Sequence, residues 1–211
     1  FNLRTPQVAT SFLARCLASS GRELSVNKVV NEFKSRGVCT SRETLGNLLS
    51  YYEQAYLLFS LPDLSRSLAE NARTSSKVYA IDPGMFAAFT RASAQETGQR
   101  LETAVFNKLR RATSSVRAGS LARLTFEHES KSHEVDFVTG DALLDDVYQL
   151  VQVSVSIDDP KTRARELSAL ESGMAKYGIA ESTMVTMDTE ETVHVSSGTV
   201  HITPAWKWLL D

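Results

Sequence analysis

The feature that most restricts the fold of this chain is a change in the spacing of its apolar residues. Up to Tyr52 they recur every three or four positions, as in Val8, Phe12, Leu13, Cys16 and Leu17, the interval that lines one face of a helix. From Leu124 onward the spacing is that of strands, in Leu124–His128, in His133-Glu134-Val135-Asp136-Phe137-Val138 and in Tyr148-Gln149-Leu150-Val151-Gln152-Val153-Ser154-Val155. One period does not serve both halves. An α/β chain of two domains is therefore predicted, residues 1–95 and residues 96–211, and 211 residues are enough to give each a core.

Start and stop signals refine this reading. A first helix runs from Gln7 to Ser20 and stops at Gly21; a second opens at Ser25 as N-cap, turns Val26, Val29, Val30 and Phe33 inward, and ends at Arg36-Gly37. Thr40 and Glu43 form a capping box for a third, through Leu45, Leu48, Leu49 and Tyr52. Tyr56–Ser60 and Lys77–Ile81 then read as two strands around a polar stretch, which gives the order of a winged helix-turn-helix. Asp82-Pro83-Gly84 is a turn, and a short helix comes next from Met85. The second half opens with a helix over Gln99–Ala112 and three strands. A long helix from Pro160 or Thr162 to Tyr177 stops at Gly178, and further strands lie at Ser182–Met187 and on both sides of Ser197-Gly198. Trp206–Leu210 is a last helical turn. The order from Gln99 is α-β-β-β-α-β-β-β.

Composition excludes some classes of function. With 42% hydrophobic and 23% charged residues the chain is not disordered, and a net charge of −2 does not describe a globally basic nucleic-acid binder. The average hides an asymmetry, since residues 1–95 carry +4 and residues 96–211 carry −6. Cys16 and Cys39 have no partner at metal-ligand spacing and suggest a reducing cytoplasm. No apolar run approaches the ~20 residues of a membrane span. A first residue Phe1 in place of Met suggests a piece of a longer protein.

Candidate chemistry falls in both halves. On the third helix Ser41, Arg42, Thr44 and Asn47 occupy the early exposed turns, where a recognition helix reads DNA, and Arg66, Arg73 and Lys77 flank the wing, where they would meet phosphates. In the second half, strand alternation puts Val135 and Phe137 on one face, and Glu134, Asp136 and Val138 on the other, with Gln152 and Ser154 pointing together. Glu102 on the helix and Asp136 on the strand are oxygen donors of the kind that Mg²⁺ takes. Glu134-Val135-Asp136 reads equally as the solvent face of a half-buried strand. If Ser197-Gly198 is a two-residue loop, His194 faces His201, an exposed polar pair with too few ligands for a dedicated metal site.

Gly98-x-x-Leu101-Glu102-x-x-Val105-Phe106, Glu134-Val135-Asp136-Phe137-Val138, Gln152-Val153-Ser154 and Thr162-x-x-Arg165-Glu166 together resemble the C-terminal domain of a prokaryotic AAA-type ATPase family. Lys77-Val78-Tyr79-x-x-Asp82-Pro83-Gly84 resembles the segment that joins that domain to a winged helix. The resemblance implies a P-loop ATPase first, a winged helix second, and a domain of unknown function from the PD-(D/E)xK (restriction-endonuclease-like) clan last. No G-x-x-x-x-G-K-[ST] occurs here, so this chain carries no ATP site of that kind. Carried over, Glu102 is the helix acid and Asp136 the strand acid, both candidate Mg²⁺ ligands. Gln152 stands in place of the second carboxylate and Ser154 in place of the lysine. The resemblance thus implies a nuclease fold with degraded or altered chemistry, with DNA met through residues 1–95 and the upstream ATPase domain as a further partner. A working Mg²⁺ nuclease with Lys161, Arg165 or Lys131 as displaced cation stays open, as does an interaction scaffold without nucleic acid. Arg165 pairing with Glu102 or Asp136 would replace a metal by a fixed counter-charge.

Overall fold

Apolar spacing and caps produce the first helices where the sequence places them. In the computed structural model, which describes residues 6–73, 75–88, 94–113, 121–128, 130–141 and 146–210, the chain is mixed α/β with two sheets. It divides into two units, one of Phe1–Leu61 with Ala69–Thr103, the other of Pro62–Leu68 with Ala104–Asp211.

The first unit runs α1 (Pro6–Leu17), β1 (Arg22–Leu24), α2 (Val26–Ser35), α3 (Arg42–Gln54) and β2 (Leu58–Leu61). After α4 (Leu68–Arg73) come β3 (Ser76–Ala80), α5 (Pro83–Ala87) and the start of α6 (Ala94–Ala112). Ser25 caps α2 by accepting from the Lys28 amide at 3.4 Å, and Gly37 ends it at φ +76°. The cap of α3 differs from the expected Thr40/Glu43 box. Ser41 is the N-cap and its Oγ accepts from the Thr44 amide at 3.1 Å, while Thr40 Oγ1 is buried without a hydrogen-bond partner among the described residues. A cap oxygen must reach an amide two or three positions on, so a boundary displaced by one residue replaces the whole cap. The sheet order is β1-β3-β2, all antiparallel, with Arg22 opposite Val78 and Leu58 opposite Ala80. β1 has no counterpart in the sequence reading, because three residues with one buried side chain, Leu24, carry no readable period.

The core of this unit gathers Phe12, Val29, Phe33, Leu45, Leu48, Leu58 and Val78. Tyr52 lies within it and donates its hydroxyl to the Ala9 carbonyl at 2.6 Å. Cys16 is 1% exposed, and burial drives its thiol pKa far up, whereas Cys39 is exposed. Since only thiolate reacts, a thiol titration is expected to find one reactive cysteine in the native protein and the second only after denaturation. Rapid modification of both in the native state would contradict this packing.

The second unit contains β4 (Leu121–His128), β5 (Lys131–Asp141), β6 (Asp146–Val153), α7 (Pro160–Tyr177), β7 (Glu181–Thr186), β8 (Glu191–Val195), β9 (Gly198–Pro204) and α8 (Ala205–Trp208). Its six-stranded sheet has the order β4-β5-β6-β7-β9-β8, with β6, β7 and β9 parallel and the remaining pairs antiparallel. α7 is stopped at both ends by the residues the sequence marks. Asp159 accepts from the Thr162 amide at 2.8 Å, and Gly178 is left-handed at φ +67°. The helix lies against β5 and β6 at Gly173, where a Cβ would sit 3.1 Å from Leu150 Cδ1. Leu124, Val135, Val138, Leu150, Leu170, Met174, Met184, Val200 and Ile202 form the core beneath it. Among the described residues no helix is long and apolar enough to cross a membrane.

Two strand registers correct the sequence reading. In β5 the simple alternation fails, because Ala122 pairs with Val138 and Leu124 with Val135, so the ladder slips there. Val135 and Val138 join one cluster, while Phe137 packs on Phe106, 6.2 Å between ring centres. Val135 and Phe137 therefore do not share their surroundings as expected, since an irregular ladder re-aims side chains. At the last hairpin Val195 pairs with Gly198 and His194 with Thr199, so the loop is Ser196-Ser197 and His194 does not face His201. His194 Nδ1 instead shares a 3.2 Å hydrogen bond with Thr199 Oγ1, and His201 lies 3.8 Å from Glu181.

Candidate functional site

The irregular step in β5 falls at Asp136, next to the end of β6, and the polar contacts of the second unit gather there. The Asp136 amide donates to Gln152 Oε1 at 3.2 Å, and the Val153 amide donates to Asp136 Oδ2 at 3.0 Å. Gln152, 5% exposed, donates through Nε2 to Glu166 Oε2 at 2.7 Å. This orientation of the amide is the one that gives both of its ends a complementary partner. Glu166 projects from α7 and is itself 6% exposed; its other oxygen accepts from Arg165 Nε at 3.2 Å and from Arg165 Nη2. Those hydrogen bonds, then the charges of Glu166 and Asp136, raise the Arg165 pKa above its ordinary value. The guanidinium is thus pinned from below while its side chain stays 74% exposed.

Chemically, this is a buried carboxylate neutralised by an arginine and fixed by an amide. In this cluster the side-chain oxygens of Gln152 and Glu166 are taken up by hydrogen bonds. Among the described residues no group of three His, Cys, Asp or Glu is placed to hold a metal. Ser154 lies outside this chain of contacts and donates instead to the Ser156 carbonyl at 2.9 Å.

Glu102 belongs to the first unit. Its Oε1 accepts from the buried Tyr79 hydroxyl at 2.7 Å and from Lys77 Nζ at 3.3 Å. Lys77 is therefore 12% exposed and held by a carboxylate, rather than free on a wing surface. Close by, Ser20 Oγ accepts from the Ala80 amide and bonds Thr103 Oγ1 at 2.8 Å, a buried polar tie between β3 and α6. Arg66 falls in the second unit and faces Asp63 at 3.9 Å, and the side chain of Arg73 lies outside the described residues. On α3, Arg42, Thr44 and Asn47 are exposed, beside the buried Leu45 and Leu48.

Sequence reasoning misses one polar centre. Asp63, 2% exposed, accepts from Ser65 Oγ at 2.7 Å and Thr125 Oγ1 at 2.6 Å, and lies 3.4 Å from Arg123 Nε, itself 4% exposed. Burial alone would raise its pKa, but these hydrogen bonds and the Arg123 charge hold it below the ordinary carboxylate range. Asp63 and Arg123 are 60 positions apart in sequence, so no local pattern announces the pair. The signal for Glu166 is present in Thr162-x-x-Arg165-Glu166, yet its inward direction is not.

Among known proteins, residues 1–96 match the family described as "Domain of unknown function (DUF8612)". The chain is 29% identical over 215 residues to "Uncharacterized protein MJ1544" of Methanocaldococcus jannaschii, an alignment covering 99% of this chain and 45% of that protein. The chain thus spans less than half the length of this relative. No solved structure matches.

Proposed function

We propose that this chain is a non-cleaving DNA-binding module of a longer AAA-type ATPase: a winged helix followed by a PD-(D/E)xK-like domain whose metal-binding positions now hold the fold together. The observation that carries DNA binding is the arrangement of the first unit, three helices with β1 before α2 and a sheet of order β1-β3-β2. Its third helix exposes Arg42, Thr44 and Asn47, and residues 1–95 carry +4. A recognition helix with hydrogen-bonding side chains on its early turns suits the major groove. The α-β-β-β-α-β order from α6 onward supports the nuclease-like assignment. The Arg165–Glu166–Gln152 contacts support loss of cleavage, since the arginine supplies the positive charge that a metal would bring. The archaeal relative is more than twice as long as the stretch matched here, which leaves room for the proposed ATPase domain outside that stretch.

The test is binding of a labelled duplex at several salt concentrations. Log affinity is expected to fall with log salt by about 0.9 per neutralised phosphate. Arg42→Ala is expected to weaken binding and, if the contact is to phosphate, to reduce the slope by about one. No binding at low salt would leave the interaction-scaffold reading in its place. Plasmid incubated with Mg²⁺ or Mn²⁺ is expected to stay intact, and nicking that Asp136→Ala abolishes would replace this reading with that of an active nuclease.

A further inference from the structure

We infer that the edge of the second unit's sheet at the carboxyl ends of its parallel strands docks onto the first unit of a second copy of this chain, head to tail. β6, β7 and β9 run parallel and end at that edge, and each is followed within two residues by an exposed apolar side chain: Val155, Met187 and Trp206, at 37%, 37% and 62% exposure. These residues adjoin one another. The Met187 amide donates to the Val155 carbonyl at 3.2 Å, Thr186 pairs with Pro204, and α8 packs against β7. One exposed apolar residue needs no explanation, but here three stand on adjoining chain ends.

The rim of the patch decides the partner. Asp158, Asp188 and Glu190 are placed on the same loops, and Lys207 is drawn onto Glu190. Pairing of the patch with itself would bring these like charges together, so the fitting surface is apolar with a basic edge. The first unit offers one. A groove of about 290 Å³ is lined by Gln7, Val8, Ser11, Phe33, Arg36 and Val38. Val38 is 37% exposed, and the Arg36 side chain stays 70% exposed although it contacts Glu32. An aromatic side chain buries about 150–250 Å² in such a contact, and an aromatic anchor in an apolar pocket within a polar rim is the usual centre of binding energy. Because the two surfaces differ, each copy keeps one of each, and association continues from copy to copy.

Sedimentation of the full chain over a dilution series tests this. Wild-type protein is expected to self-associate with concentration, and more weakly as salt rises from about 0.1 M to about 1 M, where the Debye length shrinks from about 10 to about 3 Å. Trp206→Ser, which keeps the groove, and Arg36→Glu, which keeps the patch, each alter an exposed side chain, and each alone is expected to lose at least about tenfold in association. Mixed together they are expected to form a one-to-one dimer that stops there, since each contributes its intact surface. Wild-type protein that stays monomeric to about 1 mM, or a mixture of the two variants that stays monomeric, overturns the inference. So does undiminished association of Trp206→Ser.

Discussion

Asp63→Ala is expected to destabilise the second unit by about 3 kcal/mol, the low end for a broken buried pair, because it leaves Arg123 charged and 4% exposed, with the half-exposed Glu134 at 3.8 Å in place of a buried carboxylate. Both tryptophans, Trp206 and Trp208, belong to that unit, so their fluorescence during urea unfolding reports on it. A second substitution, Arg123→Leu, is expected to recover much of the loss, since removing both charges is far less costly than removing one. A cost below about 1 kcal/mol for Asp63→Ala, the range of a surface pair, would mean that this ion pair does not hold the unit together. The same residue predicts an acid limb. Its folded pKa lies below that of the unfolded chain, about 3.9, so its contribution is complete above that value and is lost as pH falls through the folded pKa. Wild-type stability is therefore expected to fall more steeply than that of Asp63→Ala below about pH 4.

Gly198→Ala is the second large effect. Gly198 has φ +146°, a region closed to other residues, and a Cβ there would lie 2.1 Å from the Ala180 carbonyl oxygen and 2.9 Å from Met174 Cε. The first of these neighbours is backbone and cannot swing aside. The expected loss is at least about 2 kcal/mol, again read by tryptophan fluorescence. Gly178→Ala is the control, because Gly178 is left-handed at φ +67° but has nothing within 4 Å of a Cβ. It isolates the conformational penalty, about 1 kcal/mol. Equal losses at the two positions would show that the close approach of Gly198 to Ala180 is not what matters.

These two glycines differ in how far the sequence announces them. Gly178 is legible as a helix stop because a local rule, glycine after a periodic apolar run, suffices there. Gly198 is legible only as part of a turn, and the pattern puts it one place too early, in the loop. Ala180, just before β7, comes close to it only in the folded sheet, and Gly198 pairs with Val195 as the first residue of β9 instead. The candidate site divides in the same way. Strand pattern and resemblance point to Asp136 and Gln152, and these two do meet. Glu166 looks like part of an ordinary helix face, because the depth to which one side of α7 sinks depends on Gly173 resting against Leu150 and Val135.

By itself, the sequence determined the class and order of the elements apart from β1 and α4, since the 3.6 and 2 periods, the caps at Ser25 and Asp159 and the stops at Gly37 and Gly178 act within a few residues of one another. Tertiary structure alone decided which polar groups meet. Asp63 with Arg123, Gln152 with Glu166 and Tyr79 with Glu102 are joined only after strands and helices far apart in the chain have packed. Burial then turns each meeting into a requirement, because a charge or amide removed from water must find its partner there.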